Sequence, residues 1–212
     1  MTPAFADRRE AGQRLAEALA PLRGEPLIVL GIPRGGVVVA AEVARALDAA
    51  LDVVVPRKVG APGNPELGLG AVAPGVRVLD ERLIRDLGVS QPYLEQEIAA
   101  QEREIERRTA AYRGDRPAVD LEGRTAIVVD DGVATGGTAV AALRWAKQAG
   151  AKRVILAVPV APRQAMQGLS AEADDVVVLG TPEPFYAVGQ WYDRFEQVSD
   201  QEVVRLLQGS SP

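Results

Sequence analysis

The stretch VVDDGVATGGT, Val128 to Thr138, decides how the rest of the chain is read. An apolar, β-branched run (Ala126 to Val129) ends in two carboxylates, Asp130 and Asp131. Small residues then lead into the apolar-periodic segment Ala139 to Ala149, so the pattern predicts strand, loop, helix. The loop Ala134, Thr135, Gly136, Gly137, Thr138 lacks bulky side chains. Its backbone can close on a ligand, and its N–H groups open a helix whose dipole favours an anion such as phosphate. Thr135 and Thr138 add hydroxyl donors. Asp130 and Asp131, at the strand's carboxyl end, can accept hydrogen bonds from a hydroxyl-rich ligand or hold one through a metal. A sugar with a 5'-phosphate answers both demands, and a plain strand-to-helix turn with a capping threonine and no ligand is the alternative.

Outward from this stretch, strand and helix alternate through most of the chain. The fold class expected is α/β, a mainly parallel sheet with helices on both faces and ligands at the strands' carboxyl ends. The 212 residues fit a single domain, 1–212, large enough to bury roughly 70% of its unfolded surface. There is no Cys and no His, which excludes a disulfide framework and thiolate catalysis and removes the commonest zinc ligand and general base. Net charge is -5 with both signs mixed along the chain, so no basic face for nucleic acid is expected. The first twenty residues carry Asp7, Arg8, Arg9 and Glu10 and no apolar core of signal-peptide type, and no apolar run nears about eighteen residues, so a cytoplasmic protein is the expectation.

Residues 4–22 read as an amphipathic helix through Phe5, Leu15, Leu19 and Leu22, and Leu27 to Leu30 as a strand buried on both faces. The turn GIPRGG, Gly31 to Gly36, precedes the helix Val37 to Leu47 and projects Arg34 toward the sheet's carboxyl edge. A second strand, Leu51 to Val55, ends in Arg57 and Lys58, which beside Arg34 become candidates to neutralise an anionic leaving group. Residues 59–75 hold five glycines, three prolines and one charged residue, Glu66, and read as a flexible loop of the kind that acts as a lid. A strand at Val76 to Leu79, a short helix near Asp80 to Leu87 and a long charged helix from Ser90 to about Arg113 follow. The long helix carries one narrow apolar stripe: Leu94, Ile98, Ile105, Tyr112. After the central motif come a strand (Arg153 to Val158), a helix (Arg163 to Ala171), a strand (Asp175 to Leu179) and a last amphipathic helix (Asp200 to Leu207). Five of the nine aromatic residues fall in one stretch, at Phe185, Tyr186, Trp191, Tyr192 and Phe195. They read either as a satellite core or as a face on which a flat heterocycle stacks.

The central stretch resembles the fingerprint of the type I phosphoribosyltransferases, which bind 5-phosphoribosyl 1-pyrophosphate (PRPP). Four apolar residues, two acids, two small or apolar residues and A-T-G-G-T match along its whole length, with Gly132 standing where a branched apolar residue is commoner. The resemblance implies that Asp130 and Asp131 hold the ribose hydroxyls and serve catalysis, and that Ala134, Thr135, Gly136, Gly137 and Thr138 hold the 5'-phosphate. It implies a pyrophosphate loop at Arg34, Gly35 and Gly36, joined by Arg57 and Lys58. RKVGAPGNPELGLGA, Arg57 to Ala71, is similar to the adenine phosphoribosyltransferase group, which makes Glu66 a candidate catalytic, proton-handling residue.

The core would be residues about 25–180, with a flexible loop about 59–75, a helical insertion about 80–113 of unassigned role, and a C-terminal hood about 181–212. Under that hood Phe185, Tyr186, Trp191 and Tyr192 become candidate acceptor-binding residues. The implied reaction displaces pyrophosphate from PRPP by a nitrogenous acceptor, as in nucleotide salvage, with Mg2+ carried in on PRPP and no metal ligands of the protein's own. Members acting on 6-oxopurines usually carry an Asp where this chain has Ala134, so the resemblance leans to the adenine and orotate groups without selecting between them. A homodimer is frequent among relatives. A non-catalytic regulator of the same fold that binds PRPP or a nucleotide is the alternative.

Overall fold

A computed structural model describes residues 4–209. In chain order the elements are α1 (Arg8–Leu19), β1 (Leu27–Gly31), α2 (Gly35–Leu47), β2 (Ala50–Val53), β3 (Arg57–Ala61), β4 (Asn64–Ala73), β5 (Val76–Leu79) and α3 (Glu81–Asp86). Then come α4 (Gln91–Arg113), β6 (Thr125–Val129), α5 (Gly137–Gln148), β7 (Arg153–Val160), α6 (Arg163–Glu172), β8 (Asp175–Gly180) and α7 (Asp200–Gln208).

Five strands form one sheet in the order β2-β1-β6-β7-β8, all parallel. The apolar strand sequences follow from burial on both sides. Leu27, Val29, Ile127 and Val129 meet Leu15 and Leu19 of α1 and the valines of α2 in one core. Ile28, Leu30, Ala126 and Val128 meet Leu143 of α5 and Leu169 of α6 in the other. This is the α/β architecture expected from the sequence. From β1 the chain winds outward to β2 on one side, and from β6 it winds to β7 and β8 on the other. The adjacent pair β1 and β6 is therefore the point where the winding reverses, and open α/β sheets bind ligands in the crevice at such a point.

The segment read as a flexible loop, residues 59–75, is instead paired strand. β3, β4 and β5 form an antiparallel three-stranded sheet with a bulge around Gly60. Its glycines answer to close packing. A Cβ at Gly70 would overlap the Val78 carbonyl oxygen, so only a residue without a side chain lets β4 approach β5. Val59, Ala61 and Leu69 are buried against the main core, while Ala71, Ala73 and Val76 pack on Ala141 of α5.

The helical insertion follows its sequence closely. α4 is capped by the Ser90 hydroxyl accepting from the Tyr93 N–H, and the residues it buries are Leu94, Ile98, Ile105 and Tyr112. At its far end Arg113 forks onto Asp52, a carboxylate in β2 that is 4% exposed. Backbone N–H groups of Val53 and Val119 complete that carboxylate's hydrogen bonding. The hood expected over residues 181–212 is described to residue 209, and its last three residues lie outside the described range. Among the described residues no helix is long and apolar enough to cross a membrane.

Candidate functional site

Register builds the site. Gly31 pairs with Val129 across β1 and β6, so the two strands end level and the loops that follow meet. The Ile32 N–H donates to the Val129 carbonyl at 2.8 Å, which draws the turn 31–36 over the end of β6. Gly35 and Gly36 then lie against the acidic pair. A Cβ at Gly35 would overlap Asp131 Oδ2, and one at Gly36 would fall 2.8 Å from Asp130 Cα. These glycines are required by contact with the carboxylates. Two motifs read nearly a hundred residues apart thus form one surface.

Asp130 Oδ1 accepts the Asp131 N–H at 2.8 Å. Asp131 Oδ2 accepts from Arg8 Nε at 2.7 Å, with both side chains nearly buried, at 12% and 15% exposed. Arg8 is held in turn by the Glu196 carbonyl, 2.8 Å from Nη1, and lies over the Phe195 ring at 3.8 Å. The Tyr192 hydroxyl donates to the Asp131 carbonyl. Burial, and then the charge of Asp131, pushes the Asp130 carboxyl well above the usual carboxylate range. Burial raises Asp131 as well, and Arg8 opposes it. Sequence reading assigned no role to Arg8, and nothing in the pattern of an amphipathic first helix marks a residue that bonds another 123 positions away.

Beyond the acids, Ala134 and Thr135 are exposed, while Gly136 caps α5 with φ of 89° and Gly137 opens it. The Val133 N–H donates to the Val160 carbonyl at 2.9 Å, fixing the start of this loop to the end of β7. Its remaining backbone donors stand at the helix's positive end, a ready anion site.

The candidate cations divide. Arg34 Nη1 lies 3.9 Å from Asp200 Oδ1, the oxygen that also accepts the Tyr112 hydroxyl at 2.8 Å. Arg57 donates from Nε to Gln101 of α4 at 2.9 Å, and burial, followed by the charge of Arg108, lowers its pKa. Burial, followed by the bond to Asp200, pushes the Tyr112 hydroxyl up to about 12, with Arg108 and Arg34 opposing. Arg34, Arg57 and Arg108 therefore share one neighbourhood around Tyr112. Arg108, on the insertion, was not among the sequence candidates.

Lys58 points the other way, as strand alternation requires. Its Nζ bonds the Glu66 carbonyl at 2.9 Å and the Glu66 carboxylate at 3.2 Å. Glu66 is 92% exposed at its side chain and has no contact with Asp130 or Asp131 among the described residues. The structure thus does not bring Lys58 or Glu66 to the acidic pair.

Of the two readings of the aromatics at 185–195, Trp191 and Tyr192 follow the satellite core and not the stacking face. Trp191 and Tyr192 are 6% and 5% exposed and form a small core with Phe5, Ala11 and Val160. Large rings at the junction of chain start and hood are consumed by packing, so neither offers a free face. Phe185 is half-buried against Trp191, and Tyr186 is 80% exposed. A cavity of about 700 Å³ lies elsewhere, between α4, the β4–β5 turn and Trp145, and none of the fingerprint residues lines it.

Comparisons with known proteins agree on one family. The model described as phosphoribosyl transferase domain matches residues 4–183. A Mycobacterium tuberculosis (H37Rv) protein, named only provisionally as a phosphoribosyl transferase, is 47% identical over 204 residues, covering 96% of this chain and 46% of that relative. The chain thus spans less than half the length of that curated relative. An adenine phosphoribosyltransferase of Mycobacterium marinum is 33% identical over 174 residues, covering 82% of this chain and 74% of its own. Among solved structures, the protein TT1426 of Thermus thermophilus is 50% identical and superposes with a TM-score of 0.83, covering 98% of this chain and 99% of that one.

Proposed function

The chain belongs to the phosphoribosyl transferase domain family, and on that footing we propose that it transfers the 5-phosphoribosyl group of PRPP to a nitrogenous acceptor of the nucleobase class, releasing pyrophosphate. The observation that carries this reading is the convergence of the Gly35–Gly36 turn on the Asp130–Asp131 carboxylates beside an open helix N-terminus. A phosphorylated pentose needs those three features together.

In this account the backbone N–H groups of residues 134–138, with the hydroxyls of Thr135 and Thr138, bind the 5'-phosphate. Asp130 and Asp131 accept from the ribose hydroxyls. The pyrophosphate lies toward the Gly35–Gly36 turn, where Arg34 and Arg57 stabilise charge as the bond to C1 breaks. Positive charge grows on the ribose ring as pyrophosphate departs, and the adjacent carboxylates favour that state over the ground state. Preorganised charge does most of the work. Magnesium would enter as an ion carried largely by PRPP's own oxygens, and the hard carboxylate oxygens of Asp130 and Asp131 are of the type that suits it. When bound, it offsets negative charge on the pyrophosphate.

Ala134 and the likeness to an adenine phosphoribosyltransferase favour an acceptor other than a 6-oxopurine. A cytoplasmic place in nucleotide salvage accords with that chemistry. The test is direct: incubate the protein with PRPP, magnesium and a panel of bases, and assay pyrophosphate. Release that depends on one base supports the reading, and binding of PRPP with no release from any base favours a regulator of the same fold.

A further inference from the structure

The acidic pair is completed by a residue from outside both motifs. Two carboxylates side by side repel, and each loses solvation in a crevice, so the pair needs a fixed counter-charge. Arg8 supplies it. Among the described residues it is the one cation in contact with either carboxylate.

Its surroundings show that the guanidinium is held in one orientation. Nε bonds Asp131 Oδ2 at 2.7 Å, Nη1 bonds the Glu196 carbonyl at 2.8 Å, and the flat face lies 3.8 Å from the centre of the Phe195 ring. Gly35 leaves room for it, since a Cβ there would come within 2.7 Å of Arg8 Nε. The first helix, the acidic pair, the glycine turn and the hood therefore meet at one side chain. The other titratable groups at this junction are Asp130 and the Tyr192 hydroxyl. Asp7 and Arg194 lie next to it but bond each other.

Resting on the PRPP reading above, we propose that Arg8 is a positioning residue for the ribose end of the donor: it fixes the Asp131 carboxylate, in place and in charge, as an acceptor for a ribose hydroxyl. It touches no reacting atom. Its effect passes through Asp131, and because Phe195 and Glu196 clamp it, the hood stiffens the donor site. An arginine that substrate must push aside would instead hinder binding, and the two roles have opposite signs.

The experiment is titration calorimetry of wild type, Arg8→Ala and Arg8→Lys with ribose 5-phosphate, PRPP and, separately, pyrophosphate. Arg8→Ala is expected to weaken ribose 5-phosphate and PRPP by about tenfold or more, the loss of one charge-assisted bond, while pyrophosphate changes less than about twofold. Arg8→Lys, which keeps the charge, should recover most of the affinity, and added guanidinium ion should partly restore Arg8→Ala. Equal or tighter ribose 5-phosphate binding by Arg8→Ala overturns the proposal in favour of a displaced latch. Parallel loss of pyrophosphate binding, with no recovery by lysine or guanidinium, overturns it in favour of a purely structural role. Failure of the unmutated protein to bind either ribose phosphate overturns the PRPP reading itself, and is told apart because no substitution is involved.

Discussion

Gly132 and Val188 compete for the same space: a Cβ at Gly132 would lie 2.5 Å from Val188 Cγ1 and 3.0 Å from Val160 Cγ2. Two features account for the departure from the family fingerprint, where a branched apolar residue is commoner: this contact, and a backbone φ of 157° that a side chain rarely adopts. The segment carrying Val188 leans on the fingerprint here and fills the volume that such a side chain would take. Gly132→Val should therefore destabilise the protein by more than overpacking alone, which costs about 1–3 kcal/mol, because backbone strain at φ 157° adds to it. Val188→Ala in the same chain should return part of that loss, and urea unfolding of the two single variants and the double variant reads the coupling. Additive losses would mean that the two residues do not share the space.

Asp52 and Arg113 tie the insertion to the edge of the main sheet. Arg113→Met would leave a carboxylate that is 4% exposed without its charge partner. Breaking such a pair from one side typically costs about 3–5 kcal/mol. A marked fall in the urea midpoint is expected, and Arg107→Met, on the exposed side of the same helix, should lower it far less.

At the acidic pair the consequences are kinetic. Asp131→Asn or Arg34→Ala should reduce turnover about a hundredfold or more, by analogy with losing one preorganised electrostatic contact, with the circular dichroism spectrum unchanged. Wild-type rates in both variants would count against this assignment. Glu66→Gln, by contrast, should leave turnover near wild type, because Glu66 pairs with Lys58 in solvent away from the carboxylates.

Glu104 provides a pH-dependent test of α4. Hydrogen bonds from Arg107 and then Arg108 lower its carboxyl to about 2 from an ordinary 4.5. A carboxyl depressed on folding adds stability that is fully present above the unfolded value and is lost as pH falls through the folded one. Glu104→Gln should thus be less stable than wild type at neutral pH, and the difference should fade between about pH 4.5 and about pH 2. A difference that stays constant across this window would remove the ion pairs as its cause.

Local pattern carried the reading where burial and periodicity coincide. β1 and β6 announce themselves as short unbroken apolar runs because they are covered on both faces, and α4 because its four buried residues fall on one stripe. The acidic bend and the glycine loop were readable for the same reason, being contiguous. Glycine misled at residues 59–75. A residue chosen to let two strands touch, as at Gly70, looks in sequence like one chosen for freedom of the chain. Trp191 and Tyr192 could be a stacking face or a core on composition alone, and only the return of Phe5 to the hood decides for the core. Arg8 was out of reach because its partner is set by topology: β7 and β8 carry the chain out to the hood, which comes back over the first helix.

A crystal structure of the protein with PRPP and magnesium tests the proposed donor site most directly. The 5'-phosphate should sit on the backbone N–H groups of residues 134–138, with the ribose hydroxyls on Asp130 and Asp131 and the pyrophosphate toward Gly35 and Arg34. PRPP bound at another surface, or a loop at 134–138 that stays empty at saturating concentration, would contradict it.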